Sequence, residues 1–237
     1  MKFRFLGTWS SNIIRSQRNI SFIVDNKIVF DFGPHALESL LDLRIDPASI
    51  PVLAITHMHL DHYSGVAELL WYRAIHKAKD PLIILGPKGI KKNTEELLKV
   101  TKTPEQFDIN VKYVEDRKFD NIEPFRGHHL VIDNGYRLEK GGKTLFYSGD
   151  TAYSENIVKG AEGVDYLFHE MTYTDEKEKE AAFWRHSTYS SAMRVFKESK
   201  AKHIIPVHLT TDSSNLVLEL SGKVKGLIHP SKMPTSI

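Results

Sequence analysis

The chain has 237 residues, 41% hydrophobic and 26% charged, which excludes disordered and collagen-like classes and is enough for one domain around a substantial core. Lys plus Arg exceed Asp plus Glu by only 32 to 30, too even a balance for nucleic-acid binding through net charge alone, though a local basic patch stays open. With no cysteine, disulfides, thiolate metal sites, iron–sulfur clusters and cysteine nucleophiles are excluded, and any metal is left to Asp, Glu and the twelve histidines.

In chain order, Phe3 and Phe5 alternate with Lys2 and Arg4, and ISFIV (20–24) and KIVFDFG (27–33) follow around a turn at Asp25-Asn26, predicting an antiparallel meander. HALESLLDL after Pro34 has helical spacing, VLAIT (52–56) reads as a buried strand, and a helix is predicted from about Ser64 to Lys79. PLIILG (81–86) is another buried strand, followed by a helix from about Gly89 to Val100. From about Ile109 to Tyr147 the pattern turns to strands, with Gly141-Gly142 as a hairpin turn, so a second block of sheet is expected. A short helix near 156–161, the strand VDYLF, a long polar helix around 175–200 and the strand HIIPV complete the series, and Pro206 places that last strand at a sheet edge or stops it there. Strand blocks at both ends with helices between suit an α+β fold of two sheets packed face to face, helices outside. No run approaches the eighteen or so apolar residues of a membrane span, and the opening MKFRFLGTWSSN lacks a signal core, so a cytoplasmic protein with no membrane partner is expected.

The strongest chemical signal is HMHLDH, His57 to His62, between VLAIT and the next helix. In extended chain His57 and His59 project to one side, and the turn into the helix swings Asp61 and His62 toward a neighbouring point, so two metal positions are offered. Asp150, His208 and the pair His128-His129 each stand where an apolar run ends and could meet them at one rim of the sheets. Read singly, Asp150 is a helix cap and His208 an ordinary hydrogen-bonded histidine; their combination points to a site. Of the rest, His35 reads as a surface or capping residue, His76, His203 and His229 as structural or solvated, His169 as buried packing, Trp71-Tyr72 as core, and Lys88, Lys91 and Lys92 as a solvated helix face.

HxHxDH, a later single His, YSGDT and a final PVH, each after a strand, resemble the metallo-β-lactamase fold superfamily. Within it, SGDT, VDYLFHE, the charged helix, HST (186–188) and PVH are similar to the ribonuclease Z branch, as are FLGT and Arg18-Asn19. The resemblance implies a four-layer αββα sandwich over a single hydrolase domain, residues 1–237, leaving a C-terminal segment from about 213 with a polar tail and no placed counterpart. It implies two zinc ions per chain, with Mn2+ or Fe2+ as alternative occupants. His57, His59 and His129 would hold one, Asp61, His62 and His208 the other, and Asp150 would bridge them. His129 is preferred to His128 because it stands six residues before the glycine of Gly135-Tyr136-Arg137, as the branch's third-motif histidine does. Glu170 and His186 match the branch's catalytic pair.

The implied function is a zinc-dependent phosphodiesterase, in which a metal-bridging hydroxide attacks a phosphodiester, either an RNA 3′ end or a smaller diester. His186 would protonate the leaving oxygen, Glu170 would charge and orient it, and Asp61 would both bind metal and hold the hydroxide's proton. The branch's long RNA-gripping arm has no room here, since only twenty-one residues separate His129 from Asp150. A lactonase or other ester hydrolase on the same scaffold is the alternative, and a homodimer is left open.

Overall fold

The computed structural model describes residues 1–233. Strands β1 (Phe3–Gly7), β2 (Ser21–Val24) and β3 (Ile28–Phe30) form the antiparallel meander, and Asp25 and Asn26 make the turn with left-handed φ. After helix α1 (Ala36–Asp42), strand β4 (Val52–Ala54) adds parallel to β3. Helices α2 (Leu60–Tyr63) and α3 (Val66–Ile75) lead to β5 (Leu82–Gly86), and α4 (Ile90–Val100) leads to β6 (Val111–Glu115), both strands again parallel. The first sheet therefore runs β1-β2-β3-β4-β5-β6.

The second sheet contains β7 (Ile122–Arg126), β8 (Asn134–Lys140), β9 (Lys143–Tyr147), β10 (Tyr166–Glu170) and β11 (His203–Val207), in the order β11-β10-β9-β8-β7. It is antiparallel from β7 to β9 and parallel from β9 to β11. Gly141 and Gly142, at φ 58° and 71°, close the β8–β9 hairpin in the turn that requires positive φ at both central residues. Helices α5 (Glu155–Gly160), α6 (Glu178–Trp184), α7 (Tyr189–Ser199) and α8 (Thr211–Leu220) complete the α-helices among the described residues.

Alternation along the strands divides the core into three layers. Phe22, Phe30 and Ala54 of the first sheet meet Tyr136, Leu145, Tyr147 and Phe168 of the second. Phe22 stacks on Phe30 at 4.7 Å between ring centroids and meets Phe168 edge-on at 5.0 Å. Burying each such ring contributes on the order of 1.5–3 kcal/mol. Ile23, Val29, Leu53 and Ile84 point the other way, into α1, α3 and α4, while Leu167 and Ile204 pack against α5, α7 and α8. The layers are thus helix, sheet, sheet, helix: a four-layer αββα sandwich. No helix among the described residues is long and apolar enough to cross a membrane.

Three departures from the sequence reading have physical causes. Strand β6 opens the predicted second block yet pairs with β5 in the first sheet, because its partner is set by long-range register, to which its own alternation is blind. The helix expected over 175–200 is two: Arg185 takes a left-handed φ of 54° that ends α6, and Thr188 restarts the helix with a capping box to Ser191. Trp71 and Tyr72 are half-buried, with Trp71 Nε1 donating to Thr103 and Tyr72 stacking on His76. The C-terminal segment is packed, since Val217 and Leu227 join the outer core of the second sheet; residues 234–237, the end of the expected polar tail, lie outside the described residues. β11, with Pro206, is an edge strand.

Candidate active site

Strand ends build the site. Asp31 follows β3, His57 follows β4, Asp150 follows β9, Glu170 ends β10 and His208 follows β11, all at one rim of the two sheets. Asp31 and His208 both have φ 54°, an uncommon conformation that turns the chain sharply as it leaves each strand. Gly149, at φ 62°, turns beside Asp133, and a Cβ there would lie 2.6 Å from the Asp133 carboxylate.

Ligand-type atoms converge in two groups. One atom each from His57, His59, His129 and Asp150 lie within 4.8 Å of one another, as do atoms of Asp61, His62 and His208. Asp150 Oδ2 stands between the groups, 3.7 Å from His57 Nε2 and 3.3 Å from both His62 Nε2 and His208 Nε2. Asp150, His186 and His208 also fall within the 4.8 Å limit, so His186 borders the clusters. Within the first group, His59 Nδ1 faces His57 Nε2 at 3.0 Å and His129 Nε2 at 3.2 Å. Buried His62 Nε2 and Asp150 Oδ1 have no hydrogen-bond partner among the described residues. Converging imidazole nitrogens, carboxylates and orphaned buried atoms fit a divalent cation bound by N and O ligands.

Each of four buried imidazoles is held from behind through Nδ1. His57 Nδ1 lies 2.9 Å from Asp133 Oδ2, and His62 Nδ1 lies 2.8 Å from Asp31 Oδ2. His129 Nδ1 donates to the Arg185 carbonyl at 3.1 Å, and His208 Nδ1 donates to Thr172 Oγ1 at 2.8 Å. Such contacts choose the tautomer and leave Nε2 facing the cluster. Asp31 also receives Tyr147 from the facing sheet and Thr56, which ties the two sheets together at the site.

Charge is distributed to match. Burial pulls His57 well below the usual imidazole range, and burial lowers His59 and His129 as well. Burial opposes ionisation of Asp61 and Asp150, but His62 and His208 outweigh it, bringing Asp61 down to about 2 and Asp150 well below its usual range. Asp133 goes the other way, raised by burial and then by the charges of Asp150 and Asp31. His186, on the site's border, is opposed by burial, yet Glu170 at 2.8 Å raises it to about 9.

The clusters floor an open cleft of about 700 Å³, where His59, Asp61, His129, His186 and His208 are exposed to a ligand and the 10–12 loop, Trp184 and Thr210 form walls. His128 is exposed and does not line this cleft. His35 caps α1 and pairs with Glu38, while His169 is buried, its Nδ1 donating to the Glu170 carbonyl. Lys91 and Lys92 pair along their helix with Glu95 and Glu96, a solvated face. Asp31, Asp133, Thr172 and Arg185 enter the site unannounced by the sequence reading. Asp31 alone had a visible signal, since it ends an apolar run as Asp150 does.

The sequence profile of the Beta-lactamase superfamily domain matches residues 26–209. A ribonuclease Z of Halalkalibacterium halodurans is 24% identical over 288 aligned positions, covering 95% of this chain and 93% of that protein. That alignment is longer than the 237-residue chain itself, so the relative carries insertions that this chain lacks. Among solved structures, human tRNase Z, short form, superimposes with a TM-score of 0.77 at 22% identity, over 90% of this chain and 94% of that one. A diphosphatase from the PhnP family gives 0.72 at 18% identity, over 96% and 93%. At these identities the two structures speak for the fold.

Proposed function

The chain belongs to the metallo-β-lactamase superfamily and is a hydrolase homologous to ribonuclease Z, and on that premise we propose that it is a dinuclear zinc-dependent phosphodiesterase. His57, His59 and His129 would hold one ion, Asp61, His62 and His208 the other, with Asp150 shared between them. Divalent cations bound there supply Lewis acidity toward a phosphoryl oxygen and make water acidic enough to attack at neutral pH.

The observation that carries the phosphodiester reading is the 2.8 Å pair between Glu170 Oε1 and His186 Nδ1 at the cleft's edge. Glu170 is fully buried and fixed by Thr151 N–H at 3.0 Å and Thr172 Oγ1 at 2.8 Å. It therefore orients the imidazole and holds it protonated, with Nε2 left free to deliver a proton. An expelled alkoxide is a poor leaving group and needs that proton, whereas an ester or lactone needs it less. Asp61, which lines the cleft, would both bind metal and hold the hydroxide's proton through a hydrogen bond.

The interval between His129 and Asp150 holds only a loop and the tight β8–β9 hairpin, which leaves no arm for gripping a folded RNA. A small phosphodiester or an exposed RNA 3′ end is the substrate this supports. The test is zinc-loaded protein assayed on bis-p-nitrophenyl phosphate, precursor transfer RNA and a lactone. Turnover of the small diester with weak cleavage of the RNA is expected; turnover of the lactone alone would replace this reading with an ester hydrolase.

A further inference from the structure

Trp184 differs from the other two tryptophans. Trp9 is 5% exposed, and Trp71 is half-buried against Phe107 with its N–H bonded to Thr103. Trp184 is 47% exposed, lines the cleft that contains the clusters, and has no hydrogen-bond partner for its indole N–H among the described residues. It is held in place nonetheless. It is the last residue of α6, Phe183 packs against its ring at right angles with centroids 4.9 Å apart, and the next residue, Arg185, is bonded to His129 through both its carbonyl and its guanidinium. Trp184 thus brings a large flat apolar ring to the cleft that His186 also lines.

The rest of the lining selects among occupants for that face. Among the described residues that line the cleft, only Leu60, Leu130 and Trp184 have wholly hydrocarbon or indole side chains, too little surface to bury an acyl chain. Ser11, Asn12, Tyr173 and Thr211 line the same cleft with side-chain hydroxyl or amide groups that have no partner among the described residues. One flat face together with unspent donors and acceptors suits a heteroaromatic base, which stacks on its plane and hydrogen-bonds at its edge. We propose that Trp184 is a stacking platform for a nucleobase next to the scissile phosphate, so that the preferred diesters are nucleotides. This rests on the phosphodiesterase reading above.

Two diesters with one leaving group test it: thymidine 5′-p-nitrophenyl phosphate and methyl p-nitrophenyl phosphate, on zinc-loaded protein. Trp184→Ala should raise KM for the thymidine ester by about 5- to 150-fold, the worth of one stacked base, and leave KM for the methyl ester and kcat for both within about 2-fold. Trp184→Tyr should recover most of the loss. A second arm needs no turnover: adenosine 5′-monophosphate should quench tryptophan fluorescence in the wild type and not in Trp184→Phe. Equal KM changes on the two esters, or quenching that survives Trp184→Phe, would overturn the platform. So would dissociation of a dimer in Trp184→Ala, which would make the exposed indole a subunit contact. If neither ester turns over, the phosphodiesterase reading fails, and the fluorescence arm alone decides the platform.

Discussion

Arg185 and His129, fifty-six residues apart, hold each other reciprocally: His129 Nδ1 donates to the Arg185 carbonyl at 3.1 Å, and Arg185 NH1 donates to the His129 carbonyl at 2.9 Å. The segment that carries His186 is therefore locked to a residue of the first cluster. The left-handed φ of Arg185 makes the geometry possible, since it ends α6 and turns the next residue, His186, back over the cleft. Arg185→Ala removes the guanidinium half of the clamp and keeps the main-chain carbonyl that His129 Nδ1 bonds. Zinc affinity, measured by competition with a chromophoric chelator, should therefore fall by about 10-fold or less, the low end of the cost of loosening the support behind a metal ligand. Unchanged affinity would show the clamp to be inert.

His186→Ala should retain metal and lose about 10²- to 10⁴-fold in rate on a diester with an alkoxide leaving group, the usual worth of general-acid catalysis. On a p-nitrophenyl diester the loss should be much smaller, because that leaving group departs without a proton. Glu170→Gln should show the same selectivity more weakly. Equal losses on both substrates, with metal content measured and unchanged, would remove the acid role.

Asp31 is a buried carboxylate with several donors converging on it. Its carboxylate accepts from His62 Nδ1 at 2.8 Å, Tyr147 OH at 2.7 Å and Thr56 N–H at 2.7 Å, all buried. Asp31→Ala strips His62, Tyr147 and Thr56 of this acceptor, and urea unfolding should show a loss of about 3–5 kcal/mol, in the range for breaking a buried pair. Asp31→Asn, which keeps an acceptor oxygen, should cost less.

Chelation should destabilise the fold as well as stop turnover. The clusters gather Asp61, Asp150 and their neighbours at a buried rim, and bound cations would offset that negative charge. By mass action, free zinc at a hundred times its dissociation constant stabilises by about 2.7 kcal/mol, so Tm should fall with EDTA and recover with added zinc. A Tm indifferent to both would mean that the clusters hold no metal.

Away from the site, Asp165 joins three strands at their starts. One oxygen pairs with Lys202 Nζ at 2.8 Å, and the other accepts Thr144 N–H at 2.9 Å. The Lys202 hydrogen bond depresses its pKa, burial works against this, and the Thr144 bonds add to it. A depressed carboxylate contributes stability above its unfolded value of about 3.9, and that stability disappears as pH falls through the folded value. Wild-type Tm should therefore drop more steeply than that of Asp165→Asn as pH falls below about 4. At neutral pH the variant, which keeps an oxygen for Thr144 N–H and loses a pair whose Lys202 end is exposed, should be weaker by no more than about 1 kcal/mol. Parallel Tm curves would assign Asp165 no linkage.

The sequence by itself determined the strand meander, the Gly141-Gly142 hairpin and the two-sheet layering, because alternation, helical spacing and positive-φ glycines are properties of neighbouring residues. HMHLDH was legible for the same reason: its four ligand-type side chains are close in the chain, and the strand-to-helix turn gathers them, although which ring nitrogen faces the cluster is set by distant partners. Tertiary structure alone decided the rest. β6 alternates equally well for either sheet, and only its pairing with β5 assigns it to the first. The break at Arg185 lies in a helix-forming sequence and depends on a clamp to His129 fifty-six residues away. The Nδ1 partners of His62 and His208, Asp31 and Thr172, lie thirty-one and thirty-six residues from them. An aspartate or threonine has the same local pattern wherever it stands, and whether it meets an imidazole nitrogen is settled only when two sheets close to hydrogen-bond distance at one rim.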